Sequence, residues 1–227
     1  MSSPSTPTRG RPARLDRART LETALDLLNQ SGLDALTMRR LADAMGVQAG
    51  ALYRYFATKQ DLLTAMAERM LEGVSTSAQA VSGDDWSEPL TTLAHALRTA
   101  LLAHRDGARV FAGTHATGPG VLGFADAFVG VLREAGFQDD AAARALYTVV
   151  NYTVGHTLEE QAAIQAEAGD PKGIDALREA VTTGTYPHLN ATLPTLTSTD
   201  FTRLFEFGLN LLIEGLRARH APPSASA

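Results

Sequence analysis

The 227-residue sequence contains no cysteine, which excludes disulfides, thiolate zinc sites, cysteine-ligated iron–sulfur clusters and cysteine nucleophiles together. No run approaches the roughly 18 consecutive apolar residues of a membrane span. No segment sustains the apolar/polar alternation of half-buried strands, and no repeat with a period of about 20 to 50 residues is present. Gly-x-Ser-x-Gly and P-loop patterns are missing, so nucleophilic hydrolysis and nucleotide binding have no signature. The opening "MSSPSTPTRGRPAR" lacks the apolar core of a signal peptide, and its prolines and glycine prevent an amphipathic targeting helix. Residues 1–14 are expected to be a disordered basic arm and residues 221–227 a disordered tail. A reducing cytoplasm is the compartment these absences fit.

What is present is the composition of a globular protein, 44% hydrophobic and 20% charged. The net charge of −5 argues against a protein that coats nucleic acid, but the charge is unevenly placed. Residues 1–60 hold nine Lys and Arg against five Asp and Glu, whereas 61–227 hold eleven against twenty. A small basic head on an acidic body implies that only the head meets a polyanion. We divide the chain into a head, 15–60, and a body, 61–220.

Within the head, Leu21, Ala24, Leu25 and Leu28 recur at helical spacing from Asp16 to Ser31, with Gly32 as the stop. Thr37 caps a second helix carrying Met38, Leu41, Ala42 and Met45, ended by Gly46. Val47 is expected to start a short third helix through Leu52 and Tyr53. Two short helices joined by a tight glycine turn form a helix-turn-helix. Thr58 with Asp61 resembles a capping box for a fourth helix, through Met66 and Met70.

The body continues the helical periodicity: Leu90 to Leu101, a short piece to about Phe111, Val121 to Leu132, and a long helix from about Asp140 to Ala168. From Gly169 to Thr199 the Gly, Pro and Thr content rises, with one helical pattern near Ile174 to Val181, and this stretch is expected to be a gate or a loop ordered on binding. The last helix, "DFTRLFEFGLNLLIEGLRAR", is apolar nearly all round. Either it is wholly enclosed by one core, or it buries one face at home and the other on a second copy, with Gly208 and Gly215 allowing close approach. The fold class is all-α: an N-terminal three-helix helix-turn-helix domain plus a C-terminal helical bundle.

The second helix of a helix-turn-helix lies in the major groove. Gln48, Ala49, Gly50, Tyr53 and Arg54 are the groove candidates, since Gln pairs with adenine and Ala meets a thymine methyl. Thr37, Arg39, Arg40, Tyr55 and Lys59 flank them as phosphate contacts. Phe56, large and apolar, belongs inside. In the arm, "RGRPAR" suits either an A·T-rich minor groove or a solubilising tail.

The stretch "LTMRRLADAMGVQAGALYRYFATKQDLL" (36–63) resembles the helix-turn-helix signature of the TetR family of bacterial transcriptional repressors. "LLAHRDGARVFAGT" (101–114), "YTVGHTLEEQ" (152–161) and "FEFGLNLLIEGL" (205–216) resemble that family's tetracycline-repressor-like body. The resemblance implies that the C-terminal bundle is a ligand-binding and dimerisation domain and the whole an all-helical homodimer, without enzymatic activity, that binds a palindromic double-stranded operator and releases it when a small molecule enters the body and shifts the helix of Met66 and Met70. It places Thr37, Arg39, Ala49, Gly50, Tyr53, Tyr55 and Lys59 at operator-contacting positions. Ala49 and Gly50 replace a glutamine and a proline, which implies a different base preference.

In the body, the resemblance aligns Phe111 with the histidine that ligates magnesium in the tetracycline repressor. Thr114 and Glu159 persist, while drug-gripping polar positions read Ser75, Leu93 and Leu97. Phenylalanine cannot ligate a metal, so an apolar or aromatic effector is expected, with no metal or cofactor. Tyr147, Asn151 and His156 on the long helix, and His115 beside Thr114, complete the expected lining. Efflux or antibiotic-related genes are the implied targets.

Other motifs are weaker. "GPGVLG" (118–123) matches Gly-x-Gly-x-x-Gly but has no preceding strand, and is expected to separate two helices. His156, Glu159 and Glu160 share a helical turn, yet the partner motifs of a carboxylate-bridged bundle are missing. Asn151 and Asn190 sit in glycosylation sequons, which carry no information in a cytoplasmic protein. A rival of another class stays open at this point: a helical small-molecule-binding protein or enzyme whose basic head serves other partners.

Overall fold

The computed structural model describes residues 16–80, 85–169 and 172–220; the arm at 1–14 and the tail at 221–227 lie outside them. The described residues are helical throughout, with short turns between helices. In the head, α1 (Arg17–Ser31) is capped by the Asp16 carboxylate, which accepts from the Arg19 N–H at 2.8 Å, and ends where Gly32 takes φ 77°. Thr37 caps α2 (Met38–Met45), and Gly46 closes it in the left-handed region at φ 66°. The third helix, α3 (Ala49–Leu52), starts two residues later than the sequence pattern suggests. Val47 donates its N–H back to Ala42 to close the end of α2, and Gln48 is extended as the cap of α3.

Helix α4 (Lys59–Met70) has the full reciprocal capping box of Thr58 and Asp61, aspartate serving in the usual glutamate position. Its buried Leu62, Met66 and Met70 join the core of the head to that of the body. A 3₁₀ segment (Val74–Ala80) leads to α5 (Ser87–Leu102), α6 (Gly107–Ala112), α7 (Pro119–Glu134) and α8 (Asp139–Gly169). Leu93, Leu97 and Leu101 of α5, Phe124, Phe128 and Leu132 of α7, and Ala142, Ala145 and Val149 of α8 are buried together.

The stretch expected to be a gate or loop folds instead as α9 (Lys172–Thr183) and α10 (Pro187–Leu196). Pro187 opens α10, where a missing N–H costs nothing, so one of the prolines that made this stretch read as a connection is a helix start. Val181 is buried, but Leu177, Tyr186, Leu189 and Leu196 stay exposed.

The final helix, α11 (Phe201–His220), buries only Phe205, Leu209 and Ile213. Phe207 is 67% exposed and Leu211 is also exposed, so the chain covers one face of this helix and leaves the other open. The two glycines divide their work. A Cβ at Gly208 would overlap the Tyr152 hydroxyl of α8, whereas Gly215 faces open space.

A buried ion pair fastens three body helices. Arg98 of α5 donates to both carboxylate oxygens of Glu160 of α8 at 2.9 and 2.7 Å, reaches Thr202 of α11 at 3.3 Å, and lies 5.2 Å from the centre of the Phe205 ring. Removing one member of such a pair strands the other charge, so Glu160→Ala should cost about 3–5 kcal/mol in a denaturant titration. The double replacement Arg98→Met with Glu160→Leu should recover most of that loss.

His95 of α5 and His156 of α8 both approach the Phe205 ring. Burial lowers the pKa of each below the ordinary 6.5, and nearby Arg98 lowers it further. Glu206 opposes the shift at His95; the Phe201 carbonyl and Glu160 oppose it at His156. Burial lowers His104 as well. The unfolded chain therefore binds these protons more readily than the folded one. Their stabilisation is complete above about pH 6.5 and is lost as pH falls through the folded pKa values. Melting temperature should drop between about pH 7.5 and 5.5, with a flatter dependence in His156→Gln.

Candidate nucleic-acid interface and ligand region

The segment from Thr37 through α2 and α3 to Lys59 at the start of α4 carries the side chains that the sequence marks for DNA. Thr37, Arg39, Arg40, Gln48, Gly50, Tyr53, Arg54 and Tyr55 are exposed, and Ala49 and Lys59 half-buried. Tyr53 is 50% exposed, a large area for an aromatic ring, while Leu52 and Phe56 are buried and fix the segment from behind. Phe56 is thus a core residue, as its size suggests.

The cations of the head differ from those of the body. Among the described residues, Arg69, Arg98, Arg109, Arg133, Arg144, Arg178 and Arg217 are each within ion-pair distance of a carboxylate. In the body Arg105, Arg203 and Arg219 are exceptions. No ion pair is formed among the described residues by Arg17, Arg19, Arg39, Arg40, Arg54 or Lys59. Guanidinium groups free of ion pairs attract phosphate without first having to break a salt bridge.

A polar junction that the sequence pattern did not reveal ties this head to the body. The α5–α6 turn holds Asp106 in the left-handed region at φ 58°. Its buried carboxylate accepts from the Leu33 N–H at 2.8 Å, from Gln165 at 3.0 Å and from Arg109 at 3.3 Å. Burial alone would raise its pKa, but these donors outweigh it and hold the carboxyl below the usual range. Arg109 also pairs with Asp34 at 3.0 Å, and Asn29 accepts from the Arg105 N–H at 3.0 Å. Gln161 of α8 fixes the same turn by donating to the Leu101 and His104 carbonyls and accepting from the Ala108 N–H.

Two further contacts link α4 to the elements after α5. Gln60 donates to the Gly113 carbonyl at 2.8 Å, and the Glu68 carboxylate accepts from the N–H groups of Gly118, Gly120 and Val121 at 2.7, 2.9 and 3.3 Å. "GPGVLG" is therefore the N-terminus of α7 pressed onto α4. A Cβ on Gly118 or Gly120 would overlap Glu68, which accounts for the glycines without any nucleotide. The signal for Glu68 was present only as a glutamate on a partly buried turn; its partners lie some fifty residues away.

The residues expected to line a ligand region separate into groups. Leu93 and Leu97 are fully buried on α5. Phe111, Thr114 and Ser75 are half-buried nearby in sequence or packing: Thr114 donates to the Phe111 carbonyl at 2.9 Å, and the 3₁₀ segment of Ser75 packs on α7. His115 is exposed. Tyr147, Asn151 and Glu159 are not brought together with Leu93 and Leu97. Tyr147 is 70% exposed and the other two are exposed as well, because α8 turns Ala142, Ala145, Val149, Thr153 and Thr157 inward and these three positions outward. His156 packs toward α11, donating through Nε2 to the Phe201 carbonyl at 3.0 Å. With Glu160 committed to Arg98, the polar cluster of His156, Glu159 and Glu160 does not converge on one point. No described helix is long and apolar enough to cross a membrane.

Comparison with known proteins assigns both halves. The profile "Bacterial regulatory proteins, tetR family" matches residues 21–66, and "Tetracyclin repressor-like, C-terminal domain" matches residues 80–220. The class A tetracycline repressor protein from transposon 1721 of Escherichia coli is 41% identical over 199 residues, 88% of this chain and 89% of that protein. A crystal structure described as a possible TetR family transcriptional regulator from Streptomyces coelicolor A3(2) is 72% identical, with a TM-score of 0.85, covering 90% of this chain and 100% of that one. The Streptomyces coelicolor TetR family protein ActR in complex with actinorhodin is 28% identical, with a TM-score of 0.82, covering 92% and 100%. An exposed helix-turn-helix with unpaired cations, joined to a helical body, matches these relatives across nearly the whole chain: the protein belongs to the TetR family of bacterial transcriptional regulators, and is a DNA-binding regulator rather than an enzyme.

Proposed function

We propose that this protein is a ligand-responsive repressor that binds a palindromic operator as a homodimer and is released by a small apolar or aromatic effector. The observation that carries the reading is the contrast between the unpaired cations of the head and the ion-paired arginines of the body. The groove residues are Gln48, Ala49, Gly50, Tyr53 and Arg54, with Thr37, Arg39, Arg40, Tyr55 and Lys59 on phosphates.

The open face of α11 supports a second copy as partner. Phe207 and Leu211 are exposed there, and a groove of about 800 Å³ between α8 and the end of α11 is lined by Phe137, Thr148, Leu211, Leu212 and Leu216. Two-fold pairing through α8 and α11 would cover both and set two heads on one duplex.

Leu93, Leu97 and Phe111 favour an apolar or aromatic effector, and Phe111 removes the imidazole that a drug–magnesium chelate uses in the tetracycline repressor. The similar ActR structure holds actinorhodin, in line with efflux or antibiotic-related targets. An effector that displaces α6 and the start of α7 would move α4 through Gln60 and Glu68, and with it the head. Linkage then requires effector and operator to weaken one another by the same factor.

In a mobility-shift titration on the protein's own upstream intergenic DNA, Arg39→Ala and Tyr53→Ala should each weaken specific binding by about 1–3 kcal/mol. Undiminished affinity in both would remove the groove assignment. Phe207→Glu combined with Leu211→Glu should shift the protein to monomer in analytical ultracentrifugation and abolish tight operator binding, with the melting of the monomer unit preserved.

A further inference from the structure

The charge pattern of the head extends beyond the residues that the helix-turn-helix motif indicates. Arg17 opens α1, and its guanidinium carbon lies 5.3 Å from the centre of the Phe56 ring. Phe56 closes the turn Tyr53–Phe56 and is only 1% exposed, so the ring is a fixed platform. The first turn of α1 and the recognition segment therefore share one edge of the head.

The carboxylates nearest Arg17 in the chain are occupied elsewhere. Asp16 accepts from the Arg19 N–H as the cap of α1, and Glu22 lies 3.9 Å from Arg69. Arg17 is exposed and forms no ion pair among the described residues. We propose that Arg17 is a DNA-backbone contact: a guanidinium seated over the Phe56 ring that offers its N–H donors to a phosphate beside the recognition segment. The proposal rests on the operator-binding reading above and adds to it a position outside the helix-turn-helix.

The chemistry of arginine suits this division. Its planar face stacks on an aromatic ring while the N–H donors, which lie in the plane, remain available for a forked bond to two phosphate oxygens. Stacking also restricts the side chain before DNA arrives, so less rotamer freedom is lost on contact. The N-terminal end of α1 adds partial positive charge at the same place. A phosphate contact positions the protein without reading bases, so Arg17 should affect all sequences alike.

The test uses the full chain and fluorescence anisotropy, with duplexes tiled from the upstream intergenic DNA and scrambled versions of them, over a salt series. Arg17→Met keeps the contact with Phe56 and removes the charge. It should weaken operator and scrambled duplex by a similar factor, roughly tenfold. The slope of log affinity against log salt should become shallower by about two for a dimer that carries the residue twice, at about 0.9 per phosphate. Arg17→Lys should restore most of the slope.

Unchanged slope and affinity in a folded Arg17→Met protein would overturn the proposal and leave Arg17 as packing on Phe56. If Arg17→Met melts early, the comparison of Arg17→Gln with Arg17→Lys decides, since equal slopes for those two would likewise overturn it. Failure of the underlying reading looks different: wild type would bind operator and scrambled DNA equally and Tyr53→Ala would change nothing. A slope change at Arg17 would even then support the phosphate contact.

Discussion

The relation of head to body depends on the buried carboxylate of Asp106. It sits on the α5–α6 turn in a backbone conformation that non-glycine residues rarely adopt, at a cost of about 1–3 kcal/mol. Charge-assisted bonds of about 1.5–3 kcal/mol each offset that cost, and they come from three directions: the Leu33 N–H of the head, Gln165 of α8 and Arg109 of α6. Removing the carboxylate would release the strained turn, the head and the long helix together.

The second constraint is electrostatic. A chain of net charge −5 meets a polyanion by pairing most of its body arginines internally and leaving those of the head unpaired. Arg98 is used to bind three helices, Arg109 to join head to body, and Arg217 to hold the end of α11 against Asp85 and Trp86. Arg39, Arg54 and Lys59 carry no such duty. The same residue type is thus tied into ion pairs in one half and left without them in the other, and only its neighbours differ.

Local features were legible because they depend on a few adjacent residues. The caps at Thr37 and Thr58, the stops at Gly32 and Gly46, and the burial of Phe56 follow from short-range hydrogen bonding and size. The late start of α3 was missed because the Val47 N–H was needed to close α2, a competition for one donor that periodicity does not register. The pattern near Ile174 to Val181 is α9, but α10 was missed because the Gly, Pro and Thr content around it was weighed as a connection, although Pro187 is the first residue of a helix. Tyr147, Asn151 and Glu159, expected beside Leu93 and Leu97, are exposed on α8, because which side of a helix faces the core is decided by packing.

The sequence by itself determined the all-helical class, the helix-turn-helix, the basic head on an acidic body and the double apolar character of α11, since periodicity, caps and charge counts are properties of neighbouring residues. Tertiary structure alone decided that Asp106 meets Leu33, that Glu68 grips the start of α7, that Arg98 belongs to Glu160, and that Arg17 lies over Phe56. Each of those contacts joins residues tens of positions apart, and the free energy that selects it exists only once the helices have packed.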